Sequence, residues 1–148
     1  MEVKNLFDAD VKQSIIERIN TLSAESKPLW GKMNVAQMLA HCQMPMGVAL
    51  GSHKLKGSIL LKLIGPFFKK LLFNEKPFKR NLGTDRSFII ADQRKFDEEK
   101  QKLVDMVNRF TETNMVDEPH PFFGKLTKEQ WSKGTWKHLD HHLMQFGV

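Results

Sequence analysis

The segment T135-W-K-H-L-D-H-H-L-M-Q-F-G-V148 decides how the rest of the chain is read. It places three of the chain's six histidines, His138, His141 and His142, within five residues. At about 100° per residue, His138 and His142 lie about 40° apart on a helix, so their side chains are neighbours. His141 falls about 60° from His138 on the other side. Trp136, Leu139, Leu143 and Phe146 form an apolar stripe centred about 120° from His138, so His142 borders the core and His141 faces furthest from it. Asp140 points away from the histidine face. Upstream, Thr127 and Gln130 have the spacing of a capping box, Leu126 is placed to staple onto Trp131, and Gly147 suits the C-terminal cap. The segment therefore reads as a capped amphipathic helix from Thr127 to near Gly147.

Three other segments carry the same period. In DADVKQSIIERINTL, Val11, Ile15, Ile19 and Leu22 line one face after Asp8 or Asp10 as cap, giving a helix of about four turns. The next helix opens at Asn34, with Gln37 completing a capping box and Met33 able to pack on Met38. Pro45 inside it cannot donate to the His41 carbonyl, which predicts a kink or local opening. In DQRKFDEEKQKLVDMVNRFTET, the residues Phe96, Leu103, Val107 and Phe110 share one face. NMVDEPHPFFGK reads as a loop because prolines flank His120. Residues 51–90, rich in glycine and proline, read as a long connection holding a short amphipathic helix around Leu60 to Phe73. The expected fold is all-α, a four-helix bundle with a long, partly helical connection between its second and third helices, in one domain spanning residues 1–148.

Composition narrows the classes. A chain of 148 residues can bury a core without disulfides, and its single cysteine, Cys42, cannot form an internal one. The opening MEVKNLFDADVK lacks the basic-then-apolar run of a secretion signal, so a cytoplasmic protein is expected. SILLKLIGPFF is broken by Lys62 and by Gly65-Pro66 and is too short to span a membrane. The net charge of +6 gathers between residues 54 and 80 and permits attraction to anions. The lysines alternating with Leu and Phe in LLKLIGPFFKKLLF read as the outer face of a segment covering the core rather than as a membrane-surface helix. No nucleic-acid-binding motif or zinc-finger spacing is present, so nucleic acid is not an expected partner.

Two readings of the closing histidines stand: a basic helix end complementing the helix dipole, or metal chelation. A pair at i and i+4 is half of a tetrahedral site, and a third ligand must come from another helix. His41 is the best placed, since His53 and His120 lie in loops. Three neutral imidazoles on zinc or nickel leave a coordination position open, as in catalytic sites. Leu139 stands where a zincin carries its general-base glutamate, and no acidic residue is sequence-adjacent on the histidine face. Trp131 and Gln145, each about two turns from His138, return to its face and could wall the site or orient a ligand, although for Gln145 the reading as a solvated terminal side chain is preferred. Cys42 reads as an ordinary buried cysteine rather than a nucleophile.

LWGKMNVAQMLAHCQ in the second helix and HPFFGKLTKEQWSKGTWKHLDHHLMQFGV at the end together resemble the DinB/YfiT-like superfamily, in its branch of short bacterial proteins of unknown function. The resemblance covers the chain in helix order, while residues 51–90 carry no alignable signature. It implies a four-helix bundle with one metal-ligand histidine on the second helix and an HxxxH pair on the fourth, which here are His41, His138 and His142. It also implies a divalent metal, often nickel or zinc, and often a homodimer, with some relatives thiol-dependent transferases or isomerases and others hydrolases.

The resulting expectation is a metal-dependent enzyme of hydrolase or thiol-dependent transferase type acting on a small molecule. A low-molecular-weight thiol would suit the basic 54–80 segment through its carboxylates. The competing expectation is a non-catalytic metal- or ligand-binding, stress-associated bundle protein.

Overall fold

The computed structural model describes residues 1–55, 65, 69 and 72–148. Four α-helices are present among them: α1 (Ala9–Thr21), α2 (Val35–Ala49), α3 (Phe96–Arg109) and α4 (Lys128–Gln145). Short 3-10 turns lie at Arg86–Phe88 and Glu112–Asn114. The described residues contain no β-strand, only an isolated antiparallel bridge between His120 and Gly124. The expected amphipathic helix around Leu60 to Phe73 lies largely outside the described residues, as does much of the basic 54–80 segment.

Two of the helices, α2 and α4, start where side chains satisfy the free N–H groups. Asn34 and Gln37 form the reciprocal capping box that opens α2, and Thr127 and Gln130 form the one that opens α4. Each such box saves the helix about 1 kcal/mol that an alanine at the cap position would forfeit. Asp8 caps α1 by position only, since its side chain makes no capping bond. Beyond α4, Gly147 takes the left-handed conformation (φ +78°) that closes a helix end.

No break interrupts α2 at Pro45. The expected opening is overridden because the four residues that follow, Met46 to Ala49, are all buried. Their packing offsets the one backbone bond that proline removes.

α3 and α4 each pack against both α1 and α2. Between them lie Ile15 and Ile19 from α1, Met38, Leu39 and Met46 from α2, Leu103 and Val107 from α3, and Leu139 and Leu143 from α4, each at most 1% exposed. Burying a side chain of this size contributes about 1.5–3 kcal/mol. The residues from α1, α3 and α4 belong to the apolar stripes predicted by helical period, and α2 adds a buried face that the sequence reading does not pick out. Arg18 of α1 reaches α4, pairing with Asp140 at 2.7 Å and donating to the Val148 carbonyl at 2.9 Å. Asp140 therefore serves the face opposite the histidines. No helix among the described residues is long and apolar enough to cross a membrane.

Candidate metal centre

The packing of α2 on α4 brings His41 against the His138–His142 pair. One nitrogen from each ring lies within 4.8 Å of the other two. The ring centroids of His41 stand 5.1 Å from His138 and 4.7 Å from His142, and those of His138 and His142 are 4.7 Å apart. His41 and His142 are buried and His138 is half-buried.

Hydrogen bonds assign the protons. His41 Nδ1–H donates to the Phe88 carbonyl at 2.8 Å, leaving the Nε2 lone pair turned toward His138 Nε2 at 3.2 Å. His142 Nδ1–H donates to Gln145 Oε1 at 2.8 Å, which leaves its Nε2 unprotonated as well. Anchoring one ring nitrogen to an oxygen so that the other keeps its lone pair is the usual support of a metal-binding histidine. With Zn–N bonds of about 2.0–2.1 Å, two nitrogens of a tetrahedral site are about 3.3 Å apart. The His41–His138 separation fits that edge. The buried Nδ1 of His138 has no hydrogen-bond partner, so the cluster does not satisfy itself with its own contacts.

Electrostatics agree with the neutral forms. Burial lowers the pKa of His41, against the raising effect of the Phe88 carbonyl. Burial, then the neighbouring imidazoles His142, His41 and His141, hold His138 well below the ordinary histidine value. Burial, followed by the charge of His41, brings His142 down to about 3. Burial and crowding thus favour the neutral imidazole, the form that ligates metal, over a charged helix end.

Gln145 corrects the sequence reading. It is 3% exposed rather than solvated. Its Oε1 receives the His142 proton while its Nε2 donates to the Trp30 carbonyl at 2.7 Å. Gly31 makes that approach possible: a Cβ there would stand 2.5 Å from Gln145 Nε2, and its φ of +83° suits glycine. A polar side chain in the last turn looks solvated when its tertiary partner, the 29–31 segment, is out of view.

The triad opens onto a cavity of about 590 Å³, a size typical of small-molecule sites. Its described walls are mainly apolar and aromatic, including Trp30, Phe73, Phe88, Phe123 and Trp131. Asp85 is the one carboxylate among the described lining residues, and it is engaged by the Ser87 backbone N–H at 2.8 Å and by the Ser87 hydroxyl. His141 also lines the cavity, half-buried between Trp30 and Phe78, with burial lowering its pKa against the opposing effect of Asp140.

The two loop histidines diverge. His53 lies outside this cavity. His120, expected to be loosely held, is 8% exposed and stacks on Phe123 at 4.5 Å between ring centroids. Its flanking prolines gave the loop but not the burial. Cys42 is buried among the core side chains, which pushes its thiol pKa far up, so it stays an un-ionised thiol.

The family model of a protein of unknown function (DUF1569) matches residues 3–147. No curated protein and no solved structure matches the chain. With nearly the whole sequence inside that match, the chain belongs to the DUF1569 family of proteins of unknown function.

Proposed function

We propose that this chain is a single-domain, metal-dependent enzyme of the DinB/YfiT-like kind. His41, His138 and His142 would hold a divalent ion, zinc or nickel, on the floor of the apolar cavity. The observation that carries this reading is the cluster of three neutral imidazoles within 4.8 Å, two of them oriented by carbonyl oxygens, beside a cavity of ligand size. The reaction is of hydrolase or thiol-dependent transferase type on a small molecule, a low-molecular-weight thiol being the cosubstrate in the second case. Homodimer formation and a cytoplasmic location rest on the family resemblance and composition alone.

A bound divalent ion supplies Lewis acidity and lowers the pKa of water or thiol that meets it. The remaining work falls to the protein. Phe88 and Gln145 hold two of the rings in one tautomer. The aromatic walls exclude water and bind the apolar part of a substrate. His141, neutral at pH 7 and in the cavity wall, can accept a proton.

One observation favours the non-catalytic alternative: Asp85, the only described carboxylate of the cavity, is occupied by Ser87, so no carboxylate general base stands ready. Metal content by mass spectrometry on untagged protein, with His41→Ala and His138→Ala in parallel, tests the shared part. Near-stoichiometric zinc or nickel that is lost in both variants is expected. Protein that is empty and takes up no added metal would sink the reading. Turnover of activated esters, amides or thiol-conjugation substrates that vanishes in His138→Ala would then separate the enzyme from the binding module.

A further inference from the structure

His120 belongs to the same cavity but not to the triad, and its environment fixes it more tightly than a loop residue requires. The segment Pro119-His120-Pro121-Phe122-Phe123-Gly124 closes on itself through two backbone bonds, His120 N–H to the Gly124 carbonyl and Gly124 N–H to the His120 carbonyl, each 2.9 Å. Inside that turn, His120 Nδ1 accepts from the backbone N–H of Phe122 at 3.0 Å and of Phe123 at 3.3 Å. A nitrogen facing two N–H donors must present its lone pair. The proton of the neutral ring is therefore on Nε2.

The ring is sandwiched by Phe123 and by Trp131, whose ring centroids lie 4.5 Å and 5.1 Å away. Burial separately disfavours its charged form, bringing its pKa down to about 4. Among the described residues Nε2–H has no acceptor. His120 is a lining residue of the cavity, and on the side away from its Nδ1 bonds only the Nε2 edge of the ring remains to meet a ligand there.

Position then gives the ligand its shape. Trp131, against which His120 lies, is seven residues before His138 on α4, a distance of about 10 Å along the helix. Gly134 and Thr135 also line the cavity, with Leu72 and Phe73 packed beside Gly134.

We propose that His120 is a fixed neutral donor, and that the cavity takes an elongated apolar molecule with a neutral oxygen acceptor (ketone, ester or amide carbonyl) at His120 and its other end about two helical turns away at the histidine triad. The donor cannot become an acceptor without breaking both backbone bonds to Nδ1, so the site discriminates against ammonium and other donor groups at that end. Only the identity of the second end rests on the metal reading. His120 is thus a specificity-determining residue for whatever acts at the triad.

The test uses the whole chain, zinc-loaded and chelator-stripped, with 4-phenylbutan-2-one and n-butylbenzene, in which CH2 replaces the carbonyl. Binding is read from the fluorescence of Trp30 and Trp131, both in the cavity wall. His120→Asn keeps an acceptor where Nδ1 stands and removes the Nε2 donor, whereas His120→Gln keeps a donor where Nε2 stands. The ketone-to-hydrocarbon affinity ratio is expected to be about two- to tenfold higher in the wild type than in H120N, the net worth of one hydrogen bond, and to be largely retained in H120Q. Nitrogen-15 NMR is expected to show Nδ1 as the unprotonated ring nitrogen and to show a shift of Nε2–H with the ketone alone. Equal ratios in wild type and H120N, a proton on Nδ1, or failure of wild type to bind either probe would overturn the proposal. If H120N fails to fold, a wild-type ratio matched by H120Q together with the ketone-specific shift supports the donor, and absence of that shift refutes it. A ratio that persists in stripped protein supports the donor independently, so a protein that refuses zinc would remove the metal reading and leave this one standing.

Discussion

Gln145→Ala tests whether the carbonyl-oriented histidines form a metal site or merely a packed polar cluster. The substitution removes the acceptor of His142 Nδ1–H and the donor to the Trp30 carbonyl, both inside a region where Gln145 itself is 3% exposed. Two costs follow. Without metal, the buried His142 Nδ1–H and the part-buried Trp30 carbonyl lose their partners, which destabilises the fold by about 1–3 kcal/mol for each group that water does not reach. With metal, His142 loses the oxygen that fixes its tautomer and ring orientation, and loss of such a support typically lowers metal affinity about 10–100-fold. That range corresponds to about 1.4–2.7 kcal/mol of binding free energy. Gln145→Glu separates the two: it keeps an acceptor for His142 and loses the donor to Trp30, so affinity should be retained while stability falls. Zinc affinity by chelator competition, urea unfolding of the stripped protein, and the visible spectrum of the cobalt-substituted protein read these effects apart. The reasoning is refuted if Gln145→Ala binds zinc as tightly as the wild type and leaves the cobalt spectrum unchanged.

Acid should destabilise the metal-free protein in a defined window. His142 and His120 have folded pKa values of about 3 and about 4, below the unfolded histidine value, and His41 and His138 are shifted the same way by burial. Above about pH 7.5, a unit over the unfolded histidine value, these groups are largely neutral in both states and contribute little slope. As pH falls below that, the unfolded chain binds protons that the folded one refuses, and stability drops by up to about 1.4 kcal/mol per pH unit for each such histidine. Urea midpoints measured from pH 7.5 to 5 check this, and a flat profile over that range would contradict it. Glu99→Ala probes the buried carboxylate of α3, which is 4% exposed, accepts from Gln43 of α2 at 2.8 Å and pairs with Lys102 at 3.1 Å. A loss of about 1–3 kcal/mol in urea unfolding is expected, with metal affinity unchanged because Glu99 is not among the cavity residues.

What was legible in the sequence was what one helix carries by itself. The capping residues Asn34 and Thr127 lie three positions from their partners, and the His138–His142 pair needs only the helical repeat, so local spacing sufficed for both. The core stripes of α1, α3 and α4 were legible for the same reason, since period alone selects Ile15, Leu103 and Leu143 as facing residues. Glu99 was not, because a glutamate among the charges of α3 looks solvated until Gln43 of α2 meets it.

The site divides along the same line. His41 was reachable from the sequence as the histidine inside another helix, but its orientation depends on the Phe88 carbonyl, 47 residues away in chain order. Gln145 depends on a glycine turn 114 positions earlier, and that turn carries no signal that it would face the end of α4. His120 is the sharpest case. Its two prolines and following aromatics mark a turn, yet nothing local indicates that the turn directs its own N–H groups onto Nδ1 and so fixes the ring's proton on Nε2. Ligand-type residues are therefore legible wherever their spacing is helical. The groups that set their protonation are tertiary, and since protonation decides what a histidine can hold, the chemistry of this site resides in contacts that only the folded chain provides.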